Sequence, residues 1–233
     1  METKNKILHT YDRKGNLFKK VFKINNEYTD LIKKNLTKNS LVLELGCGGG
    51  RLTLSINDYA KKVIGIDFSK ELIKQAKANA KKPNIEYKVM DGEKIRFDSE
   101  TFDMVVSHAV INKKMCRADL AFKGTCFVLK PRGKLVVKMI YSTWGKEFKF
   151  KGGYNKEEIV KILSKIGFKK IKVTVKKQMF QADSYDKVKW IKDTEAPHLS
   201  PKKAFEDFFK KSEINGKYVF DDSFMIVYAE KGG

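Results

Sequence analysis

The chain has 233 residues, a formal net charge of +21 at pH 7 and a pI near 9.7. This length suits one α/β domain with additional segments, so we predict a single domain over residues 1–233. No apolar run reaches the roughly 18 residues that a membrane-spanning helix needs, and the first residues are polar where a signal peptide would be apolar. Composition therefore predicts a protein that spans no membrane and works in the cytoplasm.

The cysteines do not form a pattern typical of a bound metal or a disulfide framework. Cys47, Cys116 and Cys126 are odd in number and irregularly spaced. We predict reduced thiols and no metal site.

The positive charge has two interpretations. A basic surface is typical of proteins that bind nucleic acid, so RNA is one possible partner. Against this, nearly all of the charge is lysine spread along the whole chain, which also fits a biased genome or a heat-adapted surface. Arginine, which favours specific recognition of phosphate, occurs at five positions only. Charge alone leaves both interpretations open.

The strongest local signal is a strand followed by a glycine-rich turn. Leu41–Leu45 is a run of branched apolar residues interrupted by Glu44, and it predicts a strand buried on both faces. Four glycines follow within five positions, and an apolar-periodic helix begins near Arg51. Glycines at such a turn allow a ligand to approach the main chain closely.

The glycines match the dinucleotide fingerprint G-x-G-x-x-G only in part. Gly46 and Gly48 fit its first two positions, but Arg51 stands where the third glycine belongs. This disfavours a nicotinamide-dependent dehydrogenase. The pattern present is Glu44-x-Gly46-x-Gly48-x-Gly50.

Further strands follow at regular intervals. Residues 63–67 predict a second buried strand that ends in Asp67, 17 residues after Gly50, and an acid there can accept hydrogen bonds from both ribose hydroxyls of a nucleoside. Ser69 is a suitable N-cap for the next helix. The remaining predicted strands of the series are residues 85–90, 102–107 and 134–140.

These motifs, in this order, resemble those of class I S-adenosylmethionine (SAM) dependent methyltransferases over roughly residues 39–140, and in particular their type 11 small-molecule group. The resemblance implies an α/β, Rossmann-like fold: a seven-stranded, mostly parallel sheet with helices on both faces. It also implies S-adenosyl-L-methionine as cofactor and S-adenosyl-L-homocysteine as product.

The resemblance further implies a set of cofactor-binding residues. The glycine turn would present its backbone, Asp67 would bind the ribose, Phe68 would lie against the adenine, and the acids near residue 91 would meet the adenine amine. Glu44 would bond either the loop amides or the cofactor amine. The full set is Glu44, Gly46, Cys47, Gly48, Asp67, Phe68, Asp91, Gly92, Glu93 and Ser107.

Segments outside the resemblance complete the predicted domain. Residues 1–38 form an N-terminal lead-in with a helix over residues 26–36, whose apolar face, Tyr28, Leu31, Ile32 and Leu36, we expect to pack on the sheet. Another helix covers residues 155–166 and ends at Gly167, followed by a strand over residues 169–180. Residues 181–220 are an insertion before the last strand, residues 223–229, which we expect to be antiparallel. The insertion is a possible substrate lid.

The sequence says less about the methyl acceptor than about the cofactor. Neither the Asn/Asp-Pro-Pro-aromatic sequence of the adenine and amino methylators nor the Pro-Cys of the cytosine-ring methylators is present. His108, at the end of the fourth strand, is a candidate general base for a hydroxyl, a residue that orients a carboxylate, or an ordinary hydrogen-bonded residue. Candidate substrate-binding residues are Tyr11, Tyr141, Trp144 and Trp190.

Three functions are therefore considered. The leading one is methyl transfer from SAM to an oxygen, nitrogen or carbon of a small-molecule acceptor. The second is methylation of RNA, which the positive net charge and the aromatic residues of the insertion favour. The third is a SAM-binding partner module without catalysis.

Overall fold

A computed structural model of the chain describes residues 26–113, 115–140, 143–144, 148–149, 153–176, 179–182, 213–215, 217–221 and 223–233. For residues 140, 143–144, 148–149, 179–182 and 219–221 it describes the backbone alone.

The elements alternate between strands and helices. The strands are β1 (Leu41–Leu45), β2 (Lys62–Asp67), β3 (Ile85–Val89), β4 (Phe102–His108), β5 (Leu129–Ile140), β6 (Thr143–Trp144), β7 (Phe148–Lys149), β8 (Phe168–Lys176), β9 (Met179–Ala182), β10 (Glu213–Ile214), β11 (Lys217–Asp221) and β12 (Phe224–Lys231). The helices are α1 (Asn26–Lys34), α2 (Arg51–Ile56), α3 (Lys70–Asn79), α4 (Ala118–Val128) and α5 (Lys156–Ile166). A 3-10 turn, Asn57–Tyr59, follows α2.

Seven of these strands form the main sheet, in the order β3-β2-β1-β4-β5-β12-β8. The pairs β1–β2, β2–β3, β1–β4 and β4–β5 are parallel, whereas β12 is antiparallel to both β5 and β8. The predicted seven-stranded, mostly parallel sheet is confirmed, and so is the antiparallel last strand. None of the described helices has the length and hydrophobicity needed to cross a bilayer.

Both faces of the sheet are covered, because successive residues of a strand point to opposite sides. Leu43 and Leu45 of β1 pack in a core that includes Phe122 of α4 and Leu163 of α5. Val42 of the same strand belongs to a second core on the other face. That second core includes Tyr28 and Ile32 of α1 and Leu52 and Ile56 of α2.

The helix ends follow local sequence signals. The side chain of Ser69 accepts a hydrogen bond from the Leu72 amide at 3.0 Å, as an N-cap should. Asn155 and Glu158 form a reciprocal capping box at the start of α5. Gly167 ends that helix with a φ of 110°.

Two predicted strand boundaries are wrong. The strand expected over residues 169–180 ends at Lys176, and residues 179–182 instead form β9, which pairs with β11 in a separate three-stranded sheet. The strand expected from residue 134 begins at Leu129, because Leu129 pairs with Phe102 before the register shifts. Pairing with distant strands sets both boundaries. The alternation of apolar and polar residues along one strand carries no information about such pairing.

A buried tyrosine attaches helix α1 to the carboxyl end of the sheet. Tyr28 is fully buried, and its hydroxyl donates a hydrogen bond to the Ser107 carbonyl at 2.7 Å, at the end of β4. Glu27 on the same helix pairs with Lys176 of β8 at 2.7 Å. The helix is thereby attached to two strands of the sheet.

We predict that Tyr28→Phe lowers the free energy of unfolding by about 1 kcal/mol, because the Ser107 carbonyl loses a buried partner while the ring volume is kept. Chemical denaturation measures the change. Tyr59→Phe is the matched control, since Tyr59 is 45% exposed, and it should change stability much less. Equal effects of the two substitutions would show that the buried hydrogen bond contributes nothing.

Candidate cofactor and acceptor site

The candidate residues lie at the carboxyl ends of β1, β2, β3 and β4. Chain order reverses here, because β1 pairs with β2 on one side and with β4 on the other. In open α/β sheets, ligands bind in the crevice at such a switch point. The order of the strands alone thus places the glycine turn, Glu44 and Asp67 at one edge of the sheet.

Gly46 and Gly48 of the turn differ in what surrounds them. Gly46 has a φ of 67°, and a Cβ there would collide with the side chain of Val110. Gly48 has a φ of 50°, but a Cβ there would meet nothing within 4 Å. Packing therefore explains Gly46, whereas Gly48 adjoins open space in which a ligand could contact the backbone.

Asp67 fixes the turn to the end of β2. Its carboxylate accepts hydrogen bonds from the Gly48 amide at 3.0 Å and from the Ser69 amide at 2.9 Å. The side chain is buried, with 6% of its surface exposed. The Asp67 carboxylate thus joins the glycine turn to the start of α3.

Glu44 is buried inside the site. Burial, with a smaller contribution from the neighbouring Asp67, raises the pKa of its carboxyl to about 8, although hydrogen bonds from Thr53 oppose the rise. The hydroxyl of Thr53 on α2 donates to this carboxyl group. Glu44 was predicted to bond either the loop amides or the cofactor amine. The structure shows a hydrogen bond within the protein, but its donor is Thr53 of α2 and not a loop amide.

The predicted adenine end consists of residues that also bond within the protein. The carboxylate of Asp91 accepts from the Glu93 amide at 3.0 Å, and the carboxylate of Glu93 accepts from the Arg117 amide at 2.8 Å, just before α4. A Cβ on Gly92 would lie 3.3 Å from the sulfur of Cys116. Phe68 is half-buried beside Asp67. The loop after β3 is thus attached to the start of α4.

Ser107 and Cys47 are buried beside the crevice, at the carboxyl ends of β4 and β1. The Ser107 hydroxyl is fully buried and donates to the Leu45 carbonyl at 2.9 Å, which joins β4 to β1. Burial raises the pKa of the Cys47 thiol well above its usual range, so this thiol stays protonated. Ser107 thus joins two strands beside the crevice, whereas Cys47 packs in a small core with Ile73, Ala76 and Tyr87.

His108 ends β4 and carries an unsatisfied polar atom. Its Nε2 is buried and has no hydrogen-bond partner among the residues that the structure describes. Burial, together with the charges of Lys138 and Arg51, lowers the pKa of the imidazole to about 3. A ring with this pKa is neutral at physiological pH and is a weak proton acceptor, which disfavours the general-base role considered for it.

Three other residues around the site carry weaker sequence signals. Tyr28 reaches His108 from α1, with ring centroids 5.6 Å apart, although its spacing predicted only a core position. Val110 covers Gly46. Lys138 is buried in β5, and a lysine within the otherwise apolar run of residues 135–140 is the signal that could have identified it.

The substrate-binding predictions remain untested. Tyr11, Tyr141 and Trp190 lie outside the described residues, and Trp144 is described only as part of the backbone of β6. Within the described ranges, no group of three His, Cys, Asp or Glu side chains could hold a metal ion.

The raised pKa of Glu44 predicts a pH-dependent stability. A carboxyl whose pKa rises from 4.5 to about 8 on folding stabilises the protein fully below pH 4.5, and this contribution is lost as the pH rises through 8. Relative to the native chain, Glu44→Gln should therefore gain stability between pH 5 and pH 8.5. The gain should be at least about 1.4 kcal/mol, the value of one pKa unit.

Chemical denaturation of both proteins at the two pH values measures this relative gain, and groups common to both proteins cancel. Glu157→Gln, on the exposed surface of α5, is the control and should keep the native pH dependence. An unchanged slope in Glu44→Gln would contradict the prediction.

Comparisons with known proteins agree with this geometry. A family model described as a methyltransferase domain matches residues 43–137. An uncharacterized methyltransferase of Schizosaccharomyces pombe is 32% identical over 117 residues, which are 47% of this chain and 44% of that protein. The ubiquinone biosynthesis O-methyltransferase of Bartonella tribocorum is 30% identical over 108 residues, 46% of this chain and 43% of that protein. The chain thus spans about half the length of the curated relatives it matches.

Solved structures share the fold over most of the chain. The YcgJ protein of Bacillus subtilis has a TM-score of 0.70 at 20% identity and covers 90% of this chain and 100% of its own. A phosphoethanolamine N-methyltransferase 2 of Haemonchus contortus, solved with S-adenosylhomocysteine, has a TM-score of 0.62 at 20% identity, covering 89% of this chain and 53% of its own. At these identities the likeness concerns the fold. Residues 43–137 thus match a methyltransferase domain, within a fold that these solved structures share over most of the chain.

Proposed function

We propose that the chain transfers the methyl group of SAM to a small-molecule acceptor, at an oxygen atom. The observation that carries this proposal is the arrangement of Asp67 and Gly48, in which a buried carboxylate at a strand end is bonded to a glycine that adjoins open space. The O-methyltransferase names of several relatives support oxygen as the acceptor atom.

The residues present fit the cofactor. Asp67 ends β2 beside Gly48, at the position that the resemblance gives to the ribose, and Gly48 has no Cβ that would block the methionine end. The resemblance places Phe68 against the adenine ring and Asp91 and Glu93 at its exocyclic amine. When bound, SAM supplies a methyl group that is already electrophilic. The protein therefore has to bind, orient and exclude water, and positioning of this kind can supply ~7–11 kcal/mol of a barrier.

The acceptor would bind beside the carboxyl ends of β4 and β5. This position adjoins the glycine turn, since β4 pairs directly with β1. It is bounded by Tyr28 of α1 and by His108. The insertion over residues 181–220 and the aromatic residues Tyr11, Tyr141, Trp144 and Trp190 remain candidates for the outer wall.

We predict that Asp67→Ala weakens binding of S-adenosylhomocysteine by roughly tenfold or more, because a hydrogen bond to a charged group is worth about 1.5–3 kcal/mol. Calorimetric titration measures the affinity. Asp103→Ala is a matched control, because Asp103 also bonds a backbone amide, that of Leu41 at 2.8 Å, but lies at the opposite edge of the sheet. It should lower stability and leave the affinity unchanged.

If the native chain binds no S-adenosylhomocysteine, or if the two variants lose affinity equally, the assignment of the cofactor site to Asp67 is wrong. Unfolding curves of both variants confirm that each is folded at the temperature of the titration.

The acceptor class has its own test. We expect label from methyl-labelled SAM to enter the small-molecule fraction of a cell extract and not its RNA fraction. The net charge of +21 keeps RNA as the alternative, and label found only in RNA would establish it. RNA that binds but is lost at modest salt without labelled product would reflect lysine content alone.

A further inference from the structure

Two carboxyl groups, those of Glu44 and Asp67, lie close together at the glycine turn. Gly65, two residues before Asp67 on β2, is the register partner of Glu44 on β1. Burial is the largest cause of the raised pKa of Glu44 and of the Cys47 thiol in the turn, and the charge of Asp67 contributes to both shifts. Glu44 also acts on Cys47. A ligand that places a charge against the turn is therefore within electrostatic reach of both carboxyls.

The two carboxyl groups are bonded differently. Two backbone amides, those of Gly48 and Ser69, donate to Asp67. The described donor to Glu44 is Thr53 of α2, and only 2% of Glu44 is exposed. Bonds from amides favour the ionised form of a carboxyl, whereas loss of water favours the neutral form. Glu44 is therefore the member of the pair that holds a proton at neutral pH.

The groups around Glu44 leave its ionisation incomplete. Arg51 of α2 favours the ionised form, but burial outweighs it. A further cation, Lys138, is on β5, two strands from β1. The other ionisable side chains around the site are neutral at physiological pH, because each has a shifted pKa: Tyr28 of α1, Tyr87 of β3, Cys47 of the turn and His108 of β4. An additional positive charge at the turn would complete the ionisation of Glu44.

The cofactor and its product differ by one such charge. SAM carries a positive sulfonium, whereas the sulfur of S-adenosylhomocysteine is a neutral thioether, and the two molecules are otherwise alike except for the methyl group. A charge acts more strongly in a partly buried crevice than in water. A carboxyl that can gain or lose a proton beside the ligand therefore responds differently to the two molecules.

We propose that Glu44 distinguishes the cofactor from the product by charge: its carboxyl is ionised in the complex with SAM and protonated in the complex with S-adenosylhomocysteine. This rests on the proposed function, which places the ligand against the glycine turn. On binding of SAM, Glu44 releases its proton to solvent. Once the methyl group has left the sulfur, Glu44 takes a proton back from solvent.

This makes Glu44 a specificity-determining residue for the exchange of product for cofactor. An ionised Glu44 attracts the sulfonium, and this attraction ends when the sulfur becomes neutral. Below the pKa of Glu44, binding of SAM has to displace a proton, whereas above it the carboxyl is already ionised. The preference for SAM over S-adenosylhomocysteine should therefore increase as the pH rises.

The experiment is calorimetric titration of the full chain with SAM and with S-adenosylhomocysteine at pH 6 and pH 8.5. The ratio of the two dissociation constants, product over cofactor, should rise roughly fivefold or more in the native chain relative to Glu44→Gln, which corresponds to a difference of about one pKa unit between the two complexes. Titration of the ligands themselves is common to both proteins and cancels. Glu157→Gln, on the exposed surface of α5, is the matched control and should behave as the native chain does.

A second measurement counts protons directly. Titrations at pH 7.5 in buffers of different ionisation enthalpy give the number of protons released on binding. The native chain should release more protons with SAM than with S-adenosylhomocysteine, and this difference should vanish in Glu44→Gln. A carboxyl that only supported the turn would give no such difference.

The outcomes separate this inference from the proposed function. If the native chain binds both ligands but its ratio follows that of Glu44→Gln, the inference is wrong and the proposed function stands. If the native chain binds neither ligand, the proposed function is refuted. Should unfolding curves show that Glu44→Gln is not folded, Thr53→Val decides: it removes a hydrogen bond that lowers the pKa of Glu44, so the rise in the ratio should move to higher pH. An unmoved rise in Thr53→Val would overturn the inference.

Discussion

The hydrogen bond from the Gly48 amide to the Asp67 carboxylate is the contact on which the site depends. A turn of four glycines has many conformations in the unfolded chain, so holding one of them costs more entropy than in an ordinary loop. Asp67 offsets part of this cost because a charged acceptor bonds two backbone amides at once. It thereby joins the end of β2 to the turn after β1, and the crevice between them acquires its shape.

The two faces of the sheet have different chemistry. The side that α4 and α5 cover is apolar, with Phe122 and Leu163 among its fully buried residues. The side beneath α1 and α2 carries Glu44 and Lys138 at the same edge as the glycine turn, both nearly or wholly buried. Ionisable groups are costly to bury in a fold, so their concentration at one edge makes that edge the candidate for ligand binding. The parallel strands bring this edge together because their carboxyl ends coincide.

Sequence reasoning succeeded where the signal was local. The strand ending at Glu44 and Leu45, the N-cap at Ser69 and the glycine that ends α5 each depend on neighbours within a few residues. It failed at the strand that ends at Lys176, since pairing with a distant segment sets that boundary. Tyr28 was predicted as a core residue, which is correct, but its contact with the end of β4 requires the sheet to be formed.

The sequence by itself determined the fold class and the acid and glycine at the cofactor edge. Strand periodicity, glycine spacing and an acid at a strand end are properties of short segments, and their order along the chain fixes a limited set of topologies. Only the tertiary structure decided what surrounds His108. Lys138 is its register partner across β4 and β5, Tyr28 of α1 lies against its ring, and its buried Nε2 has no hydrogen-bond partner among the described residues. Register is a property of pairs of distant strands, so no single segment encodes it.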